Sequence, residues 1–466
     1  MTDLCIIDTH TDGEQVPETS IPTETEPLFD PVGHDALQTV PRKKRKTQHR
    51  STTSQRRSSK RKRVESHDTT GMLPFEHGFT SIEICAGAGG QAVGLHQAGF
   101  RHLALIEIDE HAVETLKLNI EDHEVWAWER EHCDILSTDV KKFHPDDDLR
   151  KSADILSQHG LDLLAGGVPC PPFSHAGKQL GKHDERDLFP RMLELVDILK
   201  PRAVLIENVR GIMDPKFSSY RDWIQAKLEG GTYIDDNDEK VTEVGLGYTV
   251  GKWGVLEASD FGVPQLRPRA VLVAFRNDVL GNLTYKWPTQ THEDPVSVAE
   301  VLDRSMRERY ERYFEGIHSE KARKAYQRWR KTARRRDAEL KGKGGGIAPT
   351  LVGGSKKHGG ADLGPSRAKA SWKQLGVSGM GVANDIQTCL EKRTEERDLF
   401  GPDGPMLTVR QAAIIQGFPD EWEFSGGKTA QYRQVGNAFP PPVAKAVGES
   451  IMDVLQQAHE RDQAKS

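Results

Sequence analysis

Residues 79–90 read Phe-Thr-Ser-Ile-Glu-Ile-Cys-Ala-Gly-Ala-Gly-Gly, and this stretch decides the fold class. The first seven residues form a short, largely apolar run with the composition of a strand, and the last five form a glycine-rich turn. A helical segment, Gln91–Gln97, a second strand-like run, Leu103–Glu107, and a further helix from about Glu110 to Leu118 follow. This succession is the opening unit of a doubly wound α/β sheet.

Similar apolar runs continue along the chain as far as residue 276. Three more have the length and composition of buried strands, namely Leu161–Ala165, Ala203–Ile206 and Arg269–Phe275. Helical segments separate them, which is typical of parallel strands joined by crossover helices. We therefore predict a doubly wound, mostly parallel α/β sheet over residues 77–276.

The pattern changes after residue 276. Residues 300–339 carry apolar side chains at helical spacing and residues 342–364 are rich in glycine, so a smaller, irregular domain is predicted over 277–405. Residues 304–343 hold fifteen Lys and Arg against six Asp and Glu, which favours a polyanionic partner; a solvated charged helix is the alternative. A compact pattern returns over 406–458 and ends in a helix from Val443 to about Gln457.

Bulk composition excludes several classes of protein. No apolar stretch approaches the roughly 18 residues of a membrane span. The five cysteines are scattered without a CxxC pair, so neither a metal site nor a disulfide framework is predicted.

The net charge of -6 includes opposite contributions from an acidic and a basic block at the start of the chain. Residues 1–40 hold nine acids and no Lys or Arg, whereas residues 41–63 hold twelve Lys and Arg and no acid. Residues 1–76 are therefore predicted to be a disordered, charged tail.

The glycine turn after the first strand is a weak signal for a nucleotide-like ligand. Its glycines would let backbone amides approach the ligand, and Glu107, which ends the next strand, could hold both hydroxyls of a ribose. Taken alone, this pattern fits an NAD-dependent dehydrogenase nearly as well as an S-adenosylmethionine site. Asp134 follows what is interpreted as a third strand and could accept a hydrogen bond from an adenine amino group. Its alternative role is to cap a helix.

The segment Gly166-Gly167-Val168-Pro169-Cys170-Pro171-Pro172 is a sharper signal. It follows a buried strand at the sheet edge where α/β proteins bind their ligands. Prolines on both sides fix the backbone around a single cysteine, whereas a structural cysteine usually lies within a strand or helix. The arrangement favours a nucleophilic thiolate at Cys170.

Two further segments place charged side chains at strand ends. Glu207 ends the run Leu205-Ile206-Glu207, where a partly desolvated carboxyl would have a raised pKa and could donate a proton near neutral pH; a turn-capping acid is the alternative. Gln265, Arg267 and Arg269 alternate as the chain enters the last strand, which places them on one face of it. A solvated strand edge is the alternative for these three side chains.

Taken together and in order, these segments resemble the cytosine-5 DNA methyltransferases of restriction-modification systems. The resemblance covers about 78–276 and 406–457, with a variable region between them as in that family. The matching segments are Ala86–Gly90, Glu107, Cys133-Asp134-Ile135, Pro169-Cys170, Glu207-Asn208-Val209, Gln265-x-Arg267-x-Arg269, Leu407–Gln411 with Gln416–Pro419, and Gln434–Ala438. The chain departs from the family at Ile108, where many members carry an aromatic side chain that stacks on the adenine of the cofactor.

The resemblance implies a methyltransferase that moves a methyl group from S-adenosylmethionine to carbon 5 of a cytosine flipped out of DNA, without a metal. Cys170 would be the covalent nucleophile, Glu207 the acid at N3, and Arg269, with Arg267, the support for O2 and for the glutamate. The residues that would bind the cofactor are Ala86, Gly87, Gly89, Gly90, Glu107, Ile108, Asp134 and Asn437. The fold implied is the S-adenosylmethionine-dependent methyltransferase fold with a smaller target-recognition domain.

The resemblance also implies partners and a location. The partner is double-stranded DNA, bound by a monomer, and a restriction endonuclease would share the site without needing to bind this chain. Pro41–Lys46 resembles a nuclear localisation signal, but a single variable region favours a prokaryotic, cytoplasmic enzyme whose tail adds phosphate contacts. A tRNA cytosine-5 methyltransferase on the same core and a catalytically inactive DNA-binding homologue are the competing functions.

Overall fold

The apolar runs predicted as strands lie side by side in one sheet. The computed structural model of the chain describes residues 78–169, 187–235, 237–340, 346–353 and 361–465, so the predicted tail and Cys170 lie outside the described residues. The strands, in chain order, are β1 (Thr80–Ile84), β2 (Arg101–Glu107), β3 (Asp134–Ser137), β4 (Leu163–Gly167), β5 (Ala203–Val209), β6 (Gly231–Ile234), β7 (Lys240–Glu243), β8 (Tyr248–Glu257), β9 (Gln265–Leu266), β10 (Pro268–Arg276) and β11 (Ala348–Pro349).

The main sheet has seven strands in the order β3-β2-β1-β4-β5-β10-β8. Neighbouring strands from β3 to β5 are parallel, whereas β10 runs antiparallel to both β5 and β8. The predicted mostly parallel α/β sheet is confirmed. Strand order reverses between β1 and β4, and a reversal of this kind opens a crevice at the carboxyl ends of the strands.

Helices cover both faces of this sheet. Those on one face, α1 and α16, pack on Phe79, Leu163 and Val271, and those on the other, α6 and α7, pack around Ile82 and Leu164. Within the described residues no helix is long and apolar enough to cross a membrane. The helices, in chain order, are α1 (Gly90–Ala98), α2 (Glu110–Asp122), α3 (Ala127–His132), α4 (Pro145–Asp148), α5 (Ala153–His159), α6 (Phe189–Leu199), α7 (Ser218–Glu229), α8 (Asn277–Leu280), α9 (Val298–Glu311), α10 (Ser319–Leu340), α11 (Ser366–Gln374), α12 (Ile386–Lys392), α13 (Glu395–Asp398), α14 (Val409–Gln416), α15 (Lys428–Asn437) and α16 (Pro441–Gln463).

The last helix, α16, lies directly against the first, α1. Glycine at position 94 makes this approach possible, because a Cβ there would lie 2.4 Å from the carbonyl oxygen of Pro441. Gly448 has the same role on α16, where a Cβ would lie 2.8 Å from the Cβ of Ala98. The last described helix therefore packs on the first, on the face of the sheet that also carries Phe79 and Leu163.

The variable region is largely helical where the structure describes it. Residues 300–339, predicted as one helical stretch, form the two helices α9 and α10, which are separated by a turn at Gly316 with φ of 79°. Tyr310 and Trp329 from these helices share one apolar core with Leu116 and Trp422 of the flanking segments. The helices are thereby fixed on the rest of the core.

Candidate active site

A cavity of about 830 Å³ opens at the carboxyl ends of β1, β2, β4 and β5. It lies in the crevice that the reversal of strand order creates. Of the residues predicted from the sequence as site residues, those that line it are Ala86, Gly87, Gly90, Glu107, Ile108, Glu207, Arg267, Arg269 and Asn437. Gly89 and Asp134 do not line it, and Cys170 follows the lining residue Pro169 but lies outside the described residues.

The glycine turn and Glu107 form one hydrogen-bonded unit at the edge of this cavity. Gly87 N donates to Glu107 Oε2 at 2.7 Å, and the amides of Ile108 and Asp109 donate to Oε1 at 2.8 Å each. Gly87 and Gly89 have φ of 55° and 85°, which glycine adopts without strain. These bonds fix the orientation of the carboxylate. A Cβ at Gly87 would meet no atom within 4 Å, so the turn presents bare backbone to open space.

Gly89 and Gly90 shape the turn from behind. A Cβ at Gly89 would lie 2.8 Å from the indole of Trp422, and one at Gly90 would lie 2.4 Å from the carbonyl oxygen of Phe439. Trp422 also donates its indole N–H to the carbonyl of Ala88 at 3.1 Å. Segments more than 300 residues apart in the sequence therefore hold the turn in place.

The structure does not bring Asp134 to the cavity, which corrects its predicted place in the site. Asp134 begins β3 instead of following it, because the preceding residues form α3. Its Oδ2 accepts hydrogen bonds from the amides of Arg150, Lys151 and Ser152 at 3.0, 3.0 and 3.2 Å and from the Ser152 hydroxyl at 3.0 Å. Asp134 therefore holds the turn of Arg150–Ser152 before α5; it does not cap a helix, which was its predicted alternative role.

The structure places Asp139 in the cavity beside the glycine turn Ala86–Gly90, which is the predicted cofactor turn. This acid was not predicted from the sequence. It follows β3, at the same edge of the sheet as Glu107, and its Oδ1 accepts from Lys141 N at 3.0 Å. The signal was available: Ser137-Thr138-Asp139 ends a strand-like run just as Glu107 does. Ile108, whose side chain is 65 % exposed, lines the same part of the cavity.

Glu207 and Arg269 form the charged pair of the site. Arg269 Nε lies 2.8 Å from Glu207 Oε1, and both side chains are largely buried. Burial raises the pKa of Glu207, while the positive charges of Arg269 and Arg267 act against that rise. Gly167 gives the carboxylate room, because a Cβ there would lie 3.3 Å from Glu207 Oε2.

Asn208 links the same strand to the loop that carries Pro169. Its Nδ2 donates to the carbonyl of Val168 at 2.8 Å, and its Oδ1 accepts from Val209 N at the same distance. The end of β5 and the end of β4 are thereby fixed to each other. The residue after Pro169 is Cys170, so the chain enters the cysteine segment from a position held beside Glu207.

Arg267 contacts backbone in this structure, not Glu207. Its guanidinium is 1 % exposed and donates to the carbonyls of Leu351, Gly436 and Ala438 at 2.7, 2.7 and 2.8 Å. Its charge still acts on the pKa of Glu207. The direct support of the glutamate that the sequence suggested for both arginines is made by Arg269 alone among the described residues.

Thr350–Gly353 also line the cavity, and no motif in the sequence analysis singled them out. They follow β11, which pairs in parallel with β9, so this part of the variable region lies beside the Gln-x-Arg-x-Arg segment. The site therefore combines a backbone cradle with two carboxylates at one end and an acid–guanidinium pair at the other. Such a site can bind a nucleoside-like ligand next to a group that receives or donates a proton.

Comparisons with known proteins agree with this geometry. A family model described as C-5 cytosine-specific DNA methylase matches residues 79–453. Type II methyltransferase M.NaeI of Lentzea aerocolonigenes is 44 % identical, over 82 % of this chain and 77 % of its own length. Type II methyltransferase M.NgoMIV of Neisseria gonorrhoeae is 42 % identical, over 81 % of this chain and 98 % of its own. The chain therefore belongs to the C-5 cytosine-specific DNA methylases, which use S-adenosylmethionine as the methyl donor.

Proposed function

We propose that this DNA cytosine-5 methyltransferase modifies a flipped cytosine within a specific duplex sequence, as the modification enzyme of a restriction-modification system. The observation that carries the proposal is the Glu207–Arg269 pair at 2.8 Å, in one cavity with the cofactor turn and beside the entry to the Pro169-Cys170 segment. Two relatives above 40 % identity are named Type II methyltransferases, which supports the modification role.

The residues of the cavity divide into two groups by their chemistry. Glu107 would accept from the ribose hydroxyls of the cofactor, Asp139 from its adenine amino group, and Ile108 would pack on the adenine ring. The bare backbone at Gly87, with Gly90 and Asn437 beside it, leaves room for the rest of the molecule. When bound, S-adenosylmethionine supplies an electrophilic methyl group from its sulfonium.

The second group acts on the cytosine. Carbon 5 of cytosine is a poor nucleophile, and addition of the Cys170 thiolate to carbon 6 makes the ring an enamine that is reactive at carbon 5. Negative charge develops on the ring during this addition, and a protonated Glu207 offsets it by donating at N3. The raised pKa of Glu207 favours the protonated form that this step needs. Arg269 holds the glutamate and would donate to O2.

Basic surface outside the cavity would hold the duplex. Helix α10 carries nine Lys and Arg and three acids, and Arg330, Lys331, Arg334 and Arg335 are exposed on it. Such cations bind phosphates without reading sequence. The basic residues of 41–63, outside the described residues, would add contacts of the same kind. Reading of base edges would fall to the region between β10 and α14, which the family uses for target recognition.

The decisive experiment is methylation by the purified full chain followed by bisulfite sequencing. Wild type is expected to methylate cytosines at one duplex sequence. After methyl transfer, carbon 5 must lose its proton to a base so that the Cys170 thiol can leave carbon 6. A 5-fluorocytosine duplex with S-adenosylmethionine should therefore form a lasting covalent complex, because fluorine cannot leave as a proton. Cys170→Ser should abolish both results and retain S-adenosylhomocysteine binding. Cys389→Ser is the matched control, because Cys389 lies in α12 at the apolar core. Methylation of tRNA in place of duplex DNA, or turnover by Cys170→Ser, would contradict the proposal.

A further inference from the structure

The chain re-enters the cavity at residues 346–353, and buried polar side chains hold its backbone there. Leu351 N donates to Gln265 Oε1 at 3.0 Å, and Leu351 O accepts from Arg267 Nη1 at 2.7 Å. Ala348 N also donates to the carbonyl of Pro264 at 2.9 Å. Both hydrogen-bonding groups of the Leu351 backbone are therefore bound by alternate residues of the Gln-x-Arg-x-Arg segment.

The same arginine binds a second segment of the cavity wall. Arg267 Nη2 donates to the carbonyls of Gly436 and Ala438 at 2.7 and 2.8 Å. Gln416 Nε2 donates to the Ala438 carbonyl at 2.7 Å as well, and Gln416 Oε1 accepts from Gln265 Nε2. One buried network therefore connects the returning segment to the turn that ends α15.

These two segments also touch each other. A Cβ at Gly353 would lie 2.3 Å from Asn437 Oδ1, and a Cβ at Gly436 would lie 2.6 Å from Gly353 N. With no room for a Cβ at either glycine, the two backbones lie in close contact. Asn437 and Ala438 line the cavity together with the glycine turn and with Thr350–Gly353.

The chemistry of Arg267 suits a link between backbones better than a role in charge transfer. Its hydrogen-bond acceptors among the described residues are neutral carbonyls in two separate segments, which a planar guanidinium reaches together and a lysine ammonium does not. A buried cation is costly unless such acceptors surround it. Arg269, two residues on, pairs with the carboxylate instead.

We propose that Arg267 is a positioning residue that couples cofactor binding to DNA binding, by holding Leu351 and the Gly436–Ala438 turn in one arrangement. The inference rests on the proposed function, because it assigns the Thr350–Gly353 backbone to the DNA side of the cavity. Ordering of the turn by the cofactor prepares the returning segment for DNA, and the reverse holds by the same factor because such coupling is reciprocal.

The test is the effect of S-adenosylhomocysteine on the Kd of a duplex that carries the site mapped by bisulfite sequencing. In wild type, saturating S-adenosylhomocysteine is expected to lower the duplex Kd by about tenfold, within the usual range of coupling between sites. In Arg267→Lys the factor should fall below about twofold, and the duplex should lose the same factor in its effect on S-adenosylhomocysteine. Arg269→Lys is the matched control, which should retain the coupling and lose single-turnover rate.

Each other outcome decides against the proposal. If Arg267→Lys keeps the wild-type coupling and loses single-turnover rate as Arg269→Lys does, Arg267 acts on the chemistry. If Arg267→Lys does not fold, Arg267→Gln takes its place, because a single amide cannot donate to both segments as the guanidinium does; retained coupling in that variant overturns the inference. Wild type that methylates DNA without coupling sinks this inference alone, whereas wild type that methylates no duplex sinks the proposed function.

Discussion

Asp139 and Asp134 are five residues apart, and the structure gives them opposite surroundings. The carboxylate of Asp134 accepts hydrogen bonds from three backbone amides and a hydroxyl, whereas Asp139 lines the cavity next to Ile108. We expect Asp139→Asn to raise the Kd of S-adenosylhomocysteine roughly ten- to a hundredfold, the value of a hydrogen bond to a charged group. Calorimetric titration measures this change.

Asp134→Asn serves as the matched variant for that prediction. It weakens the cap of the turn before α5 and should lower the free energy of unfolding by about 1–3 kcal/mol, with the Kd of S-adenosylhomocysteine unchanged. The reverse pattern, in which Asp134→Asn loses cofactor binding and Asp139→Asn loses only stability, would assign the contact with the cofactor adenine to Asp134.

The two aspartates also show which features of the site could not be predicted from the sequence. Composition and alternation located the strand ends that carry Glu107 and Glu207, because apolar runs that stop at an acid mark a sheet edge. They could not show that α3 occupies residues 127–132, which moves the third strand to the far side of Asp134. Nor could the spacing of Arg267 and Arg269 show that one binds three carbonyls and the other binds a carboxylate, since those partners are distant in sequence.

The raised pKa of Glu207 agrees with its proposed role as the proton donor to the cytosine ring. Glu207→Gln keeps a side chain of the same size beside Arg269, but its amide is not an acid that can transfer a proton to N3 of the cytosine. The single-turnover methylation rate should fall by about two to four orders of magnitude, which is the usual value of a general acid. Rapid-quench measurement with Glu449→Gln, an exposed position on α16, as control would check this; an unchanged rate would make Glu207 structural.

Glu83 lies fully buried under α1, and its titration should be visible in stability. Its Oε2 accepts from Gln91 Nε2 at 3.2 Å, and its Oε1 lies 3.3 Å from His102 Nδ1. Burial raises the pKa of Glu83 to about 8 and lowers the pKa of His102 to about 4, so both groups are neutral near pH 6. His102 Nε2 donates to the carbonyl of Ala92 at 3.0 Å, which leaves Nδ1 as an acceptor.

The sign of the pH dependence follows from this raised pKa. The contribution of neutral Glu83 to stability is fully present below its unfolded pKa of 4.5 and is lost as the pH rises towards 8. Glu83→Gln is neutral at every pH, so the Tm of the variant minus that of wild type should increase between pH 5 and pH 8. The His102 contribution has the opposite sign and is common to both proteins. A difference independent of pH would contradict this expectation.

At the scale of elements, α10 is the best candidate for electrostatic contact with DNA. Lys331 and Arg335 lie one turn apart on its exposed face. Replacing both with Gln should weaken binding to all duplex sequences alike and should reduce the slope of log K against log salt by about 1.8, for two lost phosphate contacts. Fluorescence anisotropy over a salt series measures this slope.

The control for that element removes two cations elsewhere. Lys117 on α2 and Lys445 on α16 are partly exposed and paired with Glu114 and Glu449, so their replacement should leave the slope unchanged. An equal effect of the two double variants would mean that α10 has no special part in binding.

Elements were predicted well where periodicity was strong and poorly where glycine intervened. The runs that became β1, β2, β4, β5 and β10 are continuous and apolar. The edge strand β8 escaped prediction, because Gly251 and Gly254 interrupt it to make room for Tyr285 and Trp287. The turn at Gly316 divides α9 from α10. It was not predicted, because apolar residues at helical spacing occur on both sides of the glycine.

At the scale of the whole molecule, the chain passes through its catalytic core twice, and the two passages are joined by packing. Residues up to 276 supply the sheet, the end of α15 and the turn after it line the cavity, and α16 covers α1. Hydrogen bonds strengthen the join, since Trp422 Nε1 donates to the carbonyl of Ala88 at 3.1 Å and Thr115 Oγ1 donates to Gln434 Oε1 at 2.6 Å. Side-chain contacts across this seam, more than chain connection, hold the halves together.

We therefore expect residues 1–293 and 294–466, expressed as separate chains, to reassemble into an active enzyme. The break falls in an exposed stretch, and the second fragment keeps α9 to α16 intact. Co-purification and methylation of the mapped site are the readouts. Gly94→Val is the control, because a side chain there would strike the carbonyl of Pro441 and keep α16 from α1. Fragments that remain apart, or that assemble equally well with Gly94→Val, would refute the expectation.

The seam between α1 and α16 has a practical consequence. An enzyme whose halves are held together by packing, of which this helix pair is a part, can be made conditional, since its activity then depends on the local concentration of both halves. Substitutions at Gly94 or Gly448 that loosen the pair would leave each half idle by itself. If the weakened halves were tethered to proteins bound at neighbouring genomic positions, they would assemble there. They would methylate the recognition sequence at that locus and leave the same sequence elsewhere unmodified.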